Sequence, residues 1–347
     1  MVFGDHPYFN DPDCFIELRT RFPTAIIFGC SSAGSILDVS VSDHDMVATA
    51  VVFEHGSVEM AVEDLDENLD LETQAAGLMQ KLDHGELRHV FVLSDGLKIN
   101  GSTLAKGLHS AGGNRIPVTG GLAGDGTRFE ETWVMADAPA HQGRIAALGF
   151  YGAFTIKSGC CAGWEEFGAE RLVTRSSGNV VREIDGQPAL ALYKKYLGAQ
   201  ASQLPASGLR FPLSVRSNKN TEPIIRTLLA VDELTQSLTF AGDVPEGNLC
   251  RLMKTNFDAL IDSAEMAAQN AAFGIQTTAG LCLAVSCVGR RLFLGLLTEE
   301  EIEVIRDKLG KGTAITGFYS YGELAPFGEF QQCQLHNQTM TLTTLYE

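Results

Sequence analysis

The sequence predicts an α/β protein of mixed, largely antiparallel sheets with flanking helices, arranged in two domains. In the first half, short apolar runs alternate with segments of helical spacing, the rhythm of βαβ units. From residue 131 the helical segments give way to short β-rich runs separated by turn chemistry such as Ser177-Gly178. An Ala-, Ser- and Pro-rich stretch, 199–208 (AQASQLPASG), then reads as a linker between a domain at 1–198 and a second at 209–347.

The first clear strand is 24–29 (TAIIFG), which runs into the small-residue turn CSSAGS. Residues 46–54 (MVATAVVFE) are β-branched and read as another strand. The spacing of Leu71, Ala75, Leu78 and Leu82 predicts a helix over 69–82. Residues 89–93 (HVFVL) form a buried strand ended by Asp95-Gly96, and 102–111 a helix with Ser102 as N-cap. A strand at 116–119 completes this βαβ unit. Strands at 131–136, 144–150, 153–158, 170–176 and 179–184 make an antiparallel meander, and Pro188 opens a helix over 187–197. In the second half strands are expected at 209–216, 224–231, 237–241, 280–286, 291–297, 313–319, 329–334 and 339–345. A long helix is expected over 251–273, with Leu252, Leu260, Ile261 and Ala264 among its apolar positions. Another is expected at 299–309, where an acidic first turn suits the helix dipole.

Composition narrows the function. The chain is 45% hydrophobic and 20% charged, ordinary for a globular protein, and its net charge of -17 repels phosphate backbones and anionic lipid. Nucleic acid and membrane are therefore not expected partners. The start MVFGDHPYFNDPD lacks the basic and apolar regions of a signal peptide, and the apolar run 279–289 is too short to span a bilayer. A cytoplasmic protein is expected. The eight cysteines form no CxxC pair and read as small buried hydrophobes. The eight histidines form no HxxxH, though a single axial ligand for heme needs no spacing motif.

Catalytic motifs are absent. The glycine-rich 119–126 (TGGLAGDG) has neither the P-loop ending nor GxGxxG spacing, and no helix pattern follows it to hold an anion. Ser31 and Ser32 lack the flanking glycines of a nucleophile elbow. Cys30, Ser31 and Cys287 leave a thiol or serine hydrolase as a remote alternative; no enzymatic activity is expected. Three C-terminal segments are more informative: SCVGRR (286–291), GFYSYGE (317–323) and LHNQTMT (335–341). Polar groups on successive positions of a strand need a cavity, solvent or internal hydrogen bonds. A pocket of Ser286, Cys287, Arg290, Tyr319, Tyr321, Glu323, His336 and Asn337 would offer an aromatic wall, an Arg for a carboxylate and a His; the alternative is a hydrogen-bonded structural network.

At these residues the sequence resembles the FIST family (F-box and intracellular signal transduction proteins). GCSSAGSI (29–36), LSDGLKINGS (93–102), VTGGLAGDGTRFEETWV (118–134) and SSGNVVREIDGQPALALYKKYLG (176–198) resemble its N-terminal domain. FPLSVRS (211–217), FAGDVPEGNLCRLMK (240–254), SCVGRR, GFYSYGELAP (317–326) and LHNQTMTLTTL (335–345) resemble its C-terminal one. Two departures stand out. Ser35 replaces the Glu that usually follows GCSSAG, and the family's first strand, upstream of RFPTAIIFGC, is shortened or missing.

The resemblance implies a cytoplasmic ligand-sensing input protein. It would respond to a small molecule or gas and act in trans on a histidine kinase of a two-component system or on a cyclic-di-GMP enzyme, with a homodimer as one assembly. Stand-alone bacterial members include heme proteins that sense nitric oxide. On that reading His336 is the first candidate for the axial ligand and His55 the second. The alternative is a heme-free sensor of a small carboxylate or amino acid, clamped by Arg290.

Overall fold

Alternation along the strands divides the core into layers. In the strand Leu87–Ser94, Val90 and Val92 face one apolar cluster while Phe91 and Leu93 face another. The strand Gly280–Cys287 does the same, Cys282 and Ala284 on one side, Leu281, Leu283 and Val285 on the other. Phe91, Leu93, Leu283 and Val285 share a cluster with Phe3, Phe28 and Phe318, so two sheets pack face to face over a common aromatic layer. Helices Leu71–Leu82 and Gly101–Gly112 cover the outer face of the first sheet, and Phe257–Ala271 and Glu300–Leu309 that of the second. The result is an α/β/β/α sandwich. This computed structural model describes residues 1–113, 115–275, 280–328 and 331–347.

The two halves of the sequence complete one another's sheets. The first six-stranded sheet contains the parallel pair Leu87–Ser94 and Val118–Leu122, and its far side is finished by the hairpin Gly322–Phe327 and Gln332–His336. The second contains the parallel pair Gly280–Cys287 and Thr313–Ser320. It is extended on one side by the hairpin Ser35–Leu37 and Ser40–Ser42, and on the other by Thr155–Cys161 through Met340–Tyr346. A four-stranded sheet of Met46–Ala48, Val2–Gly4, Phe28–Ser31 and Val134–Ala136 lies against the shared layer. The first strand is thus a three-residue segment in that sheet's interior, not an edge.

Residues 165–254 form a separate body. An eight-stranded sheet curls around the helix Ala189–Leu197, whose Leu190, Tyr193 and Leu197 pack on Val173, Val181, Leu213, Leu238 and Phe240. The long strand Glu165–Ser177 joins its two parts, pairing with Leu249–Lys254 through residues 165–172, across a bulge between Phe167 and Arg171, and with Val180–Ile184 through residues 173–177. Residues 199–208, expected as a linker, lie inside this body in two 3₁₀ segments, with Ser207 and Gly208 buried.

Several elements differ from expectation for identifiable reasons. The helix expected over 251–273 begins only at Phe257, because Asn256 caps it through Ala259 N–H and Leu249–Lys254 is paired on both edges. The strand expected at 291–297 is the helix Val288–Leu294 with a 3₁₀ turn after it. Asn100, not Ser102, caps the helix Gly101–Gly112, accepting from the N–H groups of Ser102 and Thr103. Within the expected runs 279–289 and 329–334, residues 279, 329 and 330 lie outside the described residues. The helix Pro12–Arg21 and the strand Ser57–Asp64 have no counterpart in the sequence reading. No helix among the described residues is long and apolar enough to cross a membrane.

Candidate ligand-binding site

The C-terminal motifs split between a solid network and a cavity. Arg290, wholly buried, points into the sandwich and makes an ion pair with Glu301 at 2.8 Å. Its other N–H groups donate to the carbonyls of Ala162 and Leu260 and to Ser263 Oγ. Ser286 and Tyr319 donate to the same Glu301 carboxylate, at 3.2 and 2.6 Å. Every donor direction of this guanidinium is in use, so Arg290, Ser286 and Tyr319 hold the fold together and Arg290 is not a clamp for a ligand carboxylate. The sequence reading missed Glu301, an interior partner that carries no motif.

Arg291, the next residue, runs the other way. It ion-pairs with Asp43 at 2.6 Å, donates to the Ala33 carbonyl, and lies 5.3 Å from the centre of the Tyr319 ring. Gly34 makes this path possible: a Cβ there, at φ +133°, would stand 2.1 Å from Arg291 Nη1. The GCSSAG turn and the VGRR helix are therefore one packing unit. Ser35 accepts or donates across 3.1 Å to Ser32 Oγ within it.

Cys287 and Tyr321 face a cavity of about 290 Å³ between the sandwich and the curled-sheet body. The sandwich supplies the loop 96–101, Leu122, Phe129, Cys287, Val288, Gly289 and Tyr321; the other body supplies Asn179, Leu209, Thr227, Leu229 and Ala241. The Tyr321 ring stacks on Phe129 at 4.5 Å and 14°. Its hydroxyl bonds Asp125, whose carboxylate also accepts from the N–H groups of Phe129, Glu130 and Glu131 and fixes the loop that bears Phe129. Burial, reinforced by the Glu323 charge, pushes the Cys287 thiol up, away from a reactive thiolate. A second, polar cavity of about 360 Å³ shares Val288 and is lined by Ser32, Ala33, Gly34, Gly126, Thr127, Arg128 and Arg291 among others.

The polar segment 337–339 is a buried turn between two strands, where the polar run 335–341 is expected to lie on successive positions of a strand. It joins the two bodies. Asn337 Oδ1 accepts from Thr227 N–H at 3.5 Å, Gln338 Nε2 donates to the Leu209 carbonyl at 3.2 Å, and Arg226 donates to the Leu335 carbonyl at 3.0 Å. Four buried polar atoms here have no partner: Thr227 Oγ1, Asn337 Nδ2, Gln338 Oε1 and His336 Nε2. Each such atom costs about 1–3 kcal/mol if left so, and of the four residues Thr227 borders the cavity between the two bodies. Glu323 closes the turn from behind, accepting from Ser320 Oγ at 2.6 Å and from Thr339 N–H and Oγ1 at 3.2 and 2.9 Å. Burial pushes its carboxyl up to about 7 against those three donors.

The two histidines considered for heme lie away from the large cavities. His336 packs edge-on against Phe327 at 5.1 Å, and burial, with the Arg226 charge, pushes its imidazole down to about 4. Its ring is enclosed by protein and borders none of the three large cavities, including the apolar one of about 430 Å³ beside Phe22, Phe28 and Phe53. His55 is exposed on a loop and borders none of them either.

No curated protein matches this chain. Family comparison does: the FIST N domain matches residues 1–187 and the FIST C domain residues 189–326. Both matched ranges contribute to the cavity between the two bodies, through residues such as Leu122 and Asn179 of the first and Leu209 and Val288 of the second. The chain belongs to the FIST family of signal-transduction sensor domains.

Proposed function

We propose that the chain is the input element of a signalling system, and that its ligand is a small molecule seated in the cavity between the sandwich and the curled-sheet body. One observation carries this: Thr227 Oγ1, on a residue 4% exposed, borders that cavity without a hydrogen-bond partner. A guest touching both bodies favours the arrangement that presents both walls, and so shifts a population of conformers. A separate partner, of the histidine kinase or cyclic-di-GMP enzyme class that the family suggests, would read that shift. On this reading the role is binding, and the Cys287 thiol, held protonated by its burial, is a poor nucleophile at the cavity wall.

The test is thermal denaturation against a panel of small polar metabolites, repeated with Ala241→Phe to fill the cavity. A ligand that raises Tm in the wild type and not in the variant supports the reading; one that stabilises both equally sinks it.

The heme-based nitric oxide reading rests on the unpartnered Nε2 of His336. Reconstitution with hemin distinguishes it. A stoichiometric Soret band that disappears in His336→Ala would establish heme ligation, and a spectrum without a protein-bound band would dismiss it.

A further inference from the structure

The charge lining the cavity is one-sided. Lys98 borders it, is exposed, and forms no ion pair among the described residues, in a chain of net charge -17. No Asp or Glu borders it. The nearest carboxylates stand behind the wall and bond to it rather than bordering the cavity. Asp95 accepts from the N–H groups of Leu97, Lys98 and Gly143, and Asp243 accepts from Asn100 Nδ2. The helix Gly101–Gly112 begins at the same wall and adds the positive end of its dipole. Opposite lies the unpartnered Thr227 hydroxyl; the rest of the wall is largely apolar, with Leu122, Leu209, Leu229 and Val288, and its two amides are already engaged, Asn100 in the helix cap and with Asp243, Asn179 donating to the Phe240 carbonyl.

Given that this cavity is the ligand site, we infer that its ligand is a small monocarboxylate with a compact apolar body and no amino group. Lys98 balances the carboxylate, and Thr227 takes an uncharged oxygen such as an oxo or hydroxyl group. An amino acid is disfavoured because its ammonium would leave water with no carboxylate to meet it. A phosphate ester is disfavoured because a single cation and an apolar wall do not repay the desolvation of two charges.

Three probes sharing a branched carbon skeleton separate the possibilities: the keto acid of leucine, leucine itself, and isoamyl alcohol. Binding is followed by titration calorimetry and by methyl NMR of Leu122, Leu209 and Leu229. The keto acid is expected to bind at least about tenfold more tightly than leucine or the alcohol. Lys98→Met should remove most of that preference without weakening the alcohol, and Thr227→Val should weaken the keto acid about fivefold. If leucine or the alcohol shifts the three methyls as strongly as the acid, the cavity stands and the ligand class falls. If none of the probes shifts them, the ligand class falls, and the wider metabolite panel with Ala241→Phe then decides on the cavity.

Discussion

The guanidinium of Arg291 fills the space that a side chain on Gly34 would occupy, 2.1 Å from the position of its Cβ. The contact ties the GCSSAG turn of the N-terminal half to the VGRR helix of the C-terminal half. The ion pair with Asp43 and the Tyr319 ring fix the guanidinium there, so it cannot withdraw without losing both.

Gly34→Ala should therefore destabilise the fold by about 2 kcal/mol, from overpacking together with strain at positive φ. Urea denaturation reads the loss directly. Arg291→Ala in the same background should recover part of it, since the added methyl then meets space.

Glu301 holds Arg290, Ser286 and Tyr319 at one carboxylate inside the protein. Glu301→Ala leaves a buried guanidinium unpaired and should cost about 3–5 kcal/mol. The double variant Arg290→Met, Glu301→Leu should cost less than Glu301→Ala alone. A double-mutant comparison by thermal denaturation checks the order.

Glu323 gives a pH-dependent term. Its folded pKa of about 7 lies above the ordinary 4.5, so the folded state binds the proton more tightly than the unfolded chain. Stability from this group is complete below about pH 4.5 and is lost as pH rises through about 7, by about 3 kcal/mol. His336 works in the opposite sense: its pKa of about 4 makes the folded state the weaker proton binder, so its term grows as pH rises towards about 6.5. The stability difference between wild type and Glu323→Gln isolates the first term. It should shift in favour of the variant between about pH 4.5 and about pH 7.5.

Asp125 gathers three backbone N–H groups and the Tyr321 hydroxyl. Asp125→Ala should free the loop 126–131 and break the Phe129–Tyr321 stack. Amide exchange at Phe129, Glu130 and Glu131 should accelerate at least about tenfold, while protection in the strand Leu87–Ser94 stays unchanged.

Local pattern made part of this molecule legible. Helices Leu71–Leu82 and Glu300–Leu309 follow from spacing and first-turn charge, and the parallel pair around Gly101–Gly112 from the βαβ rhythm. The residues 249–254 were unreadable because LCRLMK has helical composition, and only its two strand neighbours make it a strand. In the site, motif density drew attention to Cys287 and Tyr321, which do border the cavity. The same density pointed to Arg290, whose role depends on the distant Glu301. Lys98 lies in the motif LSDGLKINGS and Thr227 in an expected strand, yet neither stretch spells out a ligand site, and only the approach of the two bodies brings them to one space.

The exchange of hairpins between the sheets bears on how the protein is made. On the ribosome, the strand Val118–Leu122 emerges long before Gly322–Phe327, the strand that lies along its open side. Until then a nascent chain exposes bare backbone amides and carbonyls there, a template for wrong partners. A chaperone that shields this edge during translation, and a sharp rise in aggregation for any product stopped short of Gly322, are the corollaries.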